Sequence, residues 1–251
     1  MAGAAYLSAK AAYACGCGLV RVVTPEENRQ ILQTSLPEAI ITTYSAIKPD
    51  MSVITEAMNW ADIIVCGPGI GTSDTSEALV KNVLKNASVP VLLDADALNI
   101  IAKDTNVLLR PHTEMVLTPH LGEMGRLTGD SIGYIQARLI EVAEEFARQY
   151  NIICVLKDEH TVVSIPYGQT FLNLSGNSGM ATAGSGDVLS GVIGSLMAQG
   201  LSAEKAAPLG VYLHGKAGDA MISETGKRGL MASDLIEGIR SYLAKWETNH
   251  S

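Results

Sequence analysis

Short apolar runs alternate with longer amphipathic stretches along most of the chain. Leu19 to Val23, Ala39 to Thr43, Asp62 to Cys66, Val91 to Leu93, Met115 to Leu117 and Ile152 to Leu156 are the runs. They are rich in β-branched residues and bounded by turn formers. A strand with one wet face would alternate apolar and polar positions, so continuous runs predict strands covered on both faces. Between them lie helical patterns. Ile135, Leu139, Val142, Ala143, Phe146 and Tyr150 fall on one face of a helix with Glu and Arg opposite. Ser73 precedes a second helix, which carries Ala78, Leu79 and Val83, with Asp74 and Glu77 as acid in its first turn. Thr161 to Ile165 and Thr170 to Leu172, around Pro166-Tyr167-Gly168, predict a hairpin. Beyond Asp187 only helices are expected: Val188 to Gln199, Ala203 to Met221 and Ser233 to Lys245.

This β/α alternation predicts an α/β fold of three layers, a mostly parallel central sheet with helices on both faces. With no linker, low-complexity tract or internal repeat, residues 1–251 are expected to form a single domain. Ligands in open sheets of this class sit beyond the C-terminal ends of the strands. The polar residues that end the runs are therefore the ones to question.

Composition narrows the picture. Apolar residues make up 47% of the chain and charged residues 18%, values of a globular protein. A formal net charge of −8 argues against a nucleic-acid groove, so anionic ligands must be held by local backbone cradles and a few cations. Cys15, Cys17, Cys66 and Cys154 lack metal-ligand spacing and are expected as reduced thiols, which points to the cytoplasm. No apolar run reaches membrane-spanning length and the opening segment lacks a signal-peptide layout.

The richest candidate chemistry lies in Ala181-Thr182-Ala183-Gly184-Ser185-Gly186-Asp187, which runs into the apolar segment Val188-Leu189-Ser190-Gly191-Val192-Ile193. Small residues let backbone N–H groups turn toward one point, and a helix start adds partial positive charge there. Asp187 would stand beside that cradle as a base toward a hydroxyl. The plainer alternative is a common helix-start Asp after an ordinary glycine loop.

Gly67-Pro68-Gly69-Ile70-Gly71 follows the Asp62 run and would let a ligand touch the backbone. It is not a Rossmann fingerprint, because Thr72 stands where Gly is required. A structural turn is the alternative. Asp94 and Asp96 end the next run and could orient a metal-bound water, although Asp96 equally suits a helix cap. His120 and Glu123 follow the Met115 run; an isolated loop His is usually structural. Lys157-Asp158-Glu159-His160-Thr161 could bend round phosphates or form a plain turn. His214, inside an apolar helical pattern, reads as packed, and His112 and His250 carry no signal. Neither a Ser-His-Asp elbow, a zinc motif nor a Walker A sequence is present.

Taken in order, Met1-Ala2-Gly3-Ala4-Ala5, Gly16-Cys17-Gly18-Leu19-Val20, Leu36-Pro37-Glu38, Gly67 to Gly71, Leu93-Asp94-Ala95-Asp96-Ala97-Leu98, Leu117 to Glu123, Val155-Leu156-Lys157 and Ala183 to Leu189 resemble the ribokinase-like superfamily. Within it they are similar to the ADP/ATP-dependent NAD(P)H-hydrate dehydratases, the carboxy-terminal domain of YjeF-type repair proteins. The resemblance covers almost the whole chain. It implies dehydration of the S epimer of NADHX or NADPHX, with ADP or ATP as phosphoryl donor and Mg²⁺ as cofactor.

On the matching positions it implies Asp187 as catalytic base and Gly184, Ser185 and Gly186 as anion hole. Ala4, Gly67, Gly69, Gly71, His120 and Asp187 would meet the damaged dinucleotide. Lys157, Asp158, Glu159, His160, Thr161 and Gly186 would face the nucleotide, and Glu123 would hold a Mg²⁺-bound water. A homotetramer and an NAD(P)HX epimerase, fused upstream or separate, are the implied partners, with no nucleic acid and no membrane.

The chain departs from the family in two places. It starts without the hydrophobic strand and Gly-Ser loop that usually precede the Met1-Ala2-Gly3-Ala4 segment, so an inner strand is expected to be missing. The family's Lys-Gly-x-x-Thr reads Lys157-Asp158-Glu159-His160-Thr161, which puts two acids near the phosphates. Two other functions compete: a kinase of a thiazole or hydroxymethylpyrimidine alcohol from the same superfamily, and a non-catalytic dinucleotide sensor.

Overall fold

In the computed structural model, residues 1–109 and 113–250 are described; His112 lies outside them. Six strands form the main sheet: β3 (Ile64–Cys66), β4 (Val91–Leu93), β5 (Met115–Leu117), β6 (Ile153–Leu156), β7 (Val162–Ser164) and β8 (Thr170–Leu172). β3 to β6 pair in parallel, whereas β6–β7 and β7–β8 are antiparallel. Two earlier strands, β1 (Arg21–Pro25) and β2 (Ile40–Tyr44), joined through helix α2 (Arg29–Ser35), pair in parallel with each other and, among the described residues, with no other strand. Every expected strand is present, with ends shifted by no more than two residues.

Alternate residues of the central strands serve two separate cores, which is why the runs are continuously apolar. Leu93, Leu117 and Leu156 point into a cluster with Leu98, Met124 and Phe146. Leu92, Val116, Ile153 and Val155 point the other way, into a cluster with Val188, Val192, Ile193 and Leu235. Helices α3 (Met51–Trp60), α4 (Asp74–Asn86), α5 (Asp96–Ile101), α6 (Leu121–Thr128), α7 (Ile132–Ala137) and α8 (Leu139–Tyr150) contribute to the first core. The second is built from α1 (Ala2–Ala14), α9 (Ser185–Ala198), α10 (Ala203–Gly229) and α11 (Ala232–His250).

The expected Ile135–Tyr150 helix is two helices. Arg138 leaves helical geometry (φ −135°, ψ 40°), ending α7 and serving as the N-cap position of α8. α10 runs past Met221 to Gly229, with a break at Gly226 (φ 63°). Ser73 caps α4 through its side chain, as its position before Asp74 predicts. The four cysteines are free; Cys17 is half-buried and the others buried. Among the described residues no helix is long and apolar enough to cross a membrane.

Helix α9 lies deep in the second core, buried from Val188 through Met197. Gly191 lets it press on α1, because a Cβ there would fall 2.1 Å from the Ser8 carbonyl oxygen. A cavity of about 620 Å³ separates β1 from β3, lined by Leu19 to Val23 on one side and Ile63 to Gly67 on the other. Ser8 and Ala12 of α1, Gly194 of α9 and Met58 of α3 close its two faces. It lies where the main sheet and the β1–β2 pair fail to join.

Candidate active site at the strand ends

Three strand ends and one helix start converge at the C-terminal edge of β3 to β6. The helix start is α9. Its N-cap, Gly184, adopts φ +89°, and an added Cβ would fall 2.5 Å from Leu7 Cδ1. Only glycine combines that backbone with that fit. Ser185 and Gly186 open the helix with no side-chain cap; the Ser185 N–H reaches the Thr182 carbonyl at 3.3 Å, and the Gly186 N–H lies in the first turn, where a helix start favours an anion. A Cβ on Gly186 would lie 3.2 Å from Lys157 Nζ and 3.9 Å from Asp94 Oδ2. The open side of that glycine therefore faces an ammonium.

Asp187 stands in the first turn, half-buried. Burial pushes its carboxyl up to about 6, helped by repulsion from Asp94 and opposed by Lys157. Asp96 raises it further, and the chain's amino terminus lowers it. A carboxylate tuned near neutrality, beside an anion cradle, has the properties of a general base toward a hydroxyl.

Behind the cradle lies an ion pair that the sequence did not disclose. Asp94, 1% exposed, accepts a 2.9 Å hydrogen bond from Lys157 Nζ on Oδ1. Its Oδ2 accepts one of 2.7 Å from the Ser190 hydroxyl, which also lies 3.1 Å from the Gly186 carbonyl. Burial works against both charges, yet their attraction holds Asp94 below the usual carboxylate range and Lys157 above the usual ammonium range. With both oxygens engaged, Asp94 is a partner for Lys157 and Ser190 and not the ligand of a metal-bound water considered from the sequence. Asp96 is not a helix cap. It is the first residue of α5, after Ala95 at φ +50°, and its Oδ2 accepts the Gly71 N–H at 2.8 Å.

The glycine loop after β3 is a structural turn at Gly67 and Gly69. Gly67 (φ +131°) is structural: a Cβ there would fall 1.7 Å from the Asp94 carbonyl oxygen. Gly69 packs its backbone on α1, where a Cβ would meet Met1 and, at 2.9 Å, Ala4 Cβ. Ala4 and Gly69 thus adjoin, while Gly71 is exposed beside Asp96.

His120 is the N-cap of α6, its Nδ1 accepting from the N–H groups of Gly122 (2.9 Å) and Glu123 (3.3 Å). Those bonds put the proton on Nε2, 3.5 Å from Glu123 Oε1. Glu123 completes a capping box by accepting the His120 N–H at 2.9 Å. Burial pushes Glu123 up to about 7 although Lys157 pulls it down. His120 falls below its ordinary value through burial and the nearby Lys157 and Arg126. Its ring remains 53% exposed and open to a ligand.

Asp158, Glu159 and His160 are exposed on the connection from β6 to antiparallel β7, and Thr161 is half-buried. They form a turn between paired strands, the plainer of the two sequence readings. Lys157 is separate from them: its backbone N–H bonds the Pro119 carbonyl at 2.8 Å, and its side chain turns back to Asp94 and Gly186. His214, buried on α10, lies 3.4 Å from the Ser185 hydroxyl through Nε2. Burial lowers it to about 4, so it is neutral and packs beneath the cradle.

No group of three or more His, Cys, Asp or Glu among the described residues could hold a metal ion. Glu123 is 5% exposed and already committed to its capping box. These residues do not fit a metal held by protein ligands alone; they leave room for one carried on phosphate oxygens.

The model of the NAD(P)H-hydrate dehydratase family matches residues 1–241. The bifunctional NAD(P)H-hydrate repair enzyme Nnr of Moorella thermoacetica is 42% identical over 94% of this chain and 46% of its own length. The ADP-dependent (S)-NAD(P)H-hydrate dehydratase of Neisseria meningitidis is 36% identical over 99% of this chain and 81% of its own. This chain thus spans about half the length of the bifunctional relatives. Among solved structures, the ADP/ATP-dependent NAD(P)H-hydrate dehydratase of Bacillus subtilis, co-crystallised with ATP and Mg²⁺, superimposes with a TM-score of 0.83. That pair shares 29% identity over 98% of this chain and 85% of the other. A hydroxyethylthiazole kinase from Pyrococcus horikoshii, 17% identical with a TM-score of 0.65 over 93% of this chain and 92% of its own, shares the fold. With the cradle, its adjoining carboxylate and a family match over nearly the full length, the chain belongs to the NAD(P)H-hydrate dehydratases of the ribokinase-like fold.

Proposed function

We propose that this chain dehydrates the S epimer of NADHX or NADPHX back to NADH or NADPH, using ADP or ATP as phosphoryl donor. The observation that carries this reading is Asp187 beside the Gly184–Gly186 helix start, with Lys157 Nζ 3.2 Å from where a Gly186 Cβ would be. An anion cradle with a cation at its back and a base at its side suits transfer of a phosphoryl group to a hydroxyl.

Asp187 takes the proton of the added hydroxyl as that oxygen bonds to the terminal phosphorus and the bond to the nucleotide's bridging oxygen breaks. The Gly184, Ser185 and Gly186 amides and Lys157 hold the charge on the transferring group. The ring nitrogen's lone pair then expels the phosphorylated oxygen as phosphate, and loss of a proton from the adjacent ring carbon restores the dihydropyridine. Hydroxide is a poor leaving group and phosphate a good one, which is what the nucleotide contributes. Mg²⁺ would neutralise phosphate oxygens, with Glu123 within reach of it only through water. Ala4, Gly69, Gly71 and the exposed His120 ring would meet the dinucleotide, with Gly67 shaping that loop. Thr161 and the turn residues Asp158, Glu159 and His160 would border the nucleotide.

The test is incubation of the purified protein with NADHX and either nucleotide. Return of NADH absorbance with one phosphate released per NADH supports the reading; an accumulating phosphorylated product favours the vitamin-alcohol kinase. Dinucleotide binding without nucleotide turnover favours the sensor.

The wider setting belongs to the same proposal. The domain works in the cytoplasm, as a homotetramer, alongside an NAD(P)HX epimerase, fused upstream or separate; relatives named as bifunctional repair enzymes, about twice its length, support a second activity. The cavity between β1 and β3 receives an apolar strand from upstream of Met1, joining β1–β2 to the main sheet in one folded domain.

A further inference from the structure

We propose that Asp94 is a positioning residue for phosphoryl transfer, holding the Lys157 ammonium against the open face of Gly186 and fastening both to α9 through Ser190. The inference rests on the phosphoryl-transfer reading above. Its basis is a hub of long-range contacts. Asp94 lies 63 residues from Lys157 and 96 from Ser190 in sequence, yet bonds both at 2.9 and 2.7 Å. The same residue's carbonyl underlies Gly67, its carboxylate Oδ2 lies 3.9 Å from where a Gly186 Cβ would be, and the Ser190 hydroxyl lies 3.1 Å from the Gly186 carbonyl. One side chain thus fixes the ends of β4 and β6 and the first turns of α9 relative to one another.

A lysine has a long flexible stem, and an ammonium held 1 Å out of place loses much of its value to a transition state. Asp94 removes that freedom. It is 1% exposed and both its oxygens are engaged within the protein, so it acts through Lys157 and not on the substrate. Its charge also reaches the base. Asp187 is faced by Asp94, Lys157, Asp96 and the chain's amino terminus, and after burial Asp94 contributes most to its raised pKa.

Asp94→Asn, Lys157→Met and the double variant, assayed with NADHX and ADP or ATP, test this. Asp94→Asn should lower kcat about ten- to a hundredfold, in the range of a lost charge-stabilising contact. The Kd for ADP, measured by calorimetry, should change by only a few fold. The acid limb of the variant's rate–pH profile, set by Asp187, should move below the wild-type position, because neutralising residue 94 removes repulsion on Asp187 and frees Lys157 to pair with it. In a Lys157→Met background the same substitution should cost at most about threefold more, since groups acting as one unit are not additive. Ser190→Ala, which keeps the ion pair, should fold normally and lose a smaller factor in kcat, a readout that survives if Asp94→Asn does not fold.

Full kcat with an unmoved acid limb in Asp94→Asn, additive losses in the double variant, or wild-type kcat in Ser190→Ala where Asp94→Asn fails to fold, would each overturn the proposal. Failure of the wild-type protein to turn over NADHX would instead remove the reading on which it rests.

Discussion

A carboxylate in the first turn of a helix is ordinarily easy to ionise, because the helix field favours its charge. Asp187 departs from that rule. Burial and the neighbouring Asp94 outweigh both the helix start and Lys157, and its carboxyl reaches about 6. We expect the rate to rise with pH through an acid limb near that value, as the base loses its proton. Between the ordinary carboxylate range and about 6 the folded protein holds a proton that the unfolded chain has released. Folding therefore weakens as pH rises through that window, and the deficit persists above it. Asp187→Asn should accordingly cut turnover about 10²–10⁴-fold, the usual contribution of a general base, while raising Tm at neutral pH. A loss of activity accompanied by a falling Tm would show that the residue holds the fold and does not perform the chemistry. Asp187 was legible in the sequence because its surroundings are local: small residues before it and an apolar helix after it. Asp94 was not, since its partners arrive from 63 and 96 residues away and only the register of the sheet brings them together.

At the scale of elements, the start of α9 is the functional unit, and it is held from three sides. Gly184 fits against Leu7 of α1, Gly186 against Lys157 at the end of β6, and Ser185 against His214 of α10. We predict that Gly186→Val weakens ADP binding at least tenfold with little change in Tm, because the branched side chain would push aside Lys157 Nζ and occupy the anion's place. Unchanged ADP affinity would mean that no anion sits there. Strand positions were readable because burial on both faces leaves an unbroken apolar run, whereas the division of Ile132–Tyr150 at Arg138 was not. Hydrophobic periodicity continues across that break, and the departure from helical geometry is confined to one residue. The roles of His120 and Glu123 were legible only as a pair worth noticing. Their reciprocal capping box satisfies the first N–H groups of α6 and leaves the exposed ring as what a ligand can reach.

On the scale of the whole molecule, the sheet consists of two pieces with a cavity of about 620 Å³ between them. Among the described residues neither β1 nor β3 has a strand partner on that side, and unpaired strand edges beside an apolar cavity are a stability deficit. Extending the chain upstream by an apolar five- to seven-residue strand should therefore raise Tm by several degrees, on the order of what a few kcal/mol produces in a domain of this size. An unchanged Tm would show that the cavity is not a strand site. The β/α order made the architecture readable in advance, but the size and position of the cavity depend on how β1–β2 pack against α1 and α3, which no local pattern encodes. The cavity and the active site share the Gly67 loop, so filling the first is expected to steady the second.

The proposed turnover requires that a nucleotide's terminal phosphoryl group reach a hydroxyl poised at Asp187 and then depart as phosphate. The most direct measurement follows NADH absorbance and phosphate release together, from NADHX with ADP or with ATP. It predicts NADH and phosphate appearing one for one, dependent on the nucleotide, and abolished to the extent stated above by Asp187→Asn. A phosphorylated product that persists, or NADHX left unchanged while both ligands bind, would contradict it.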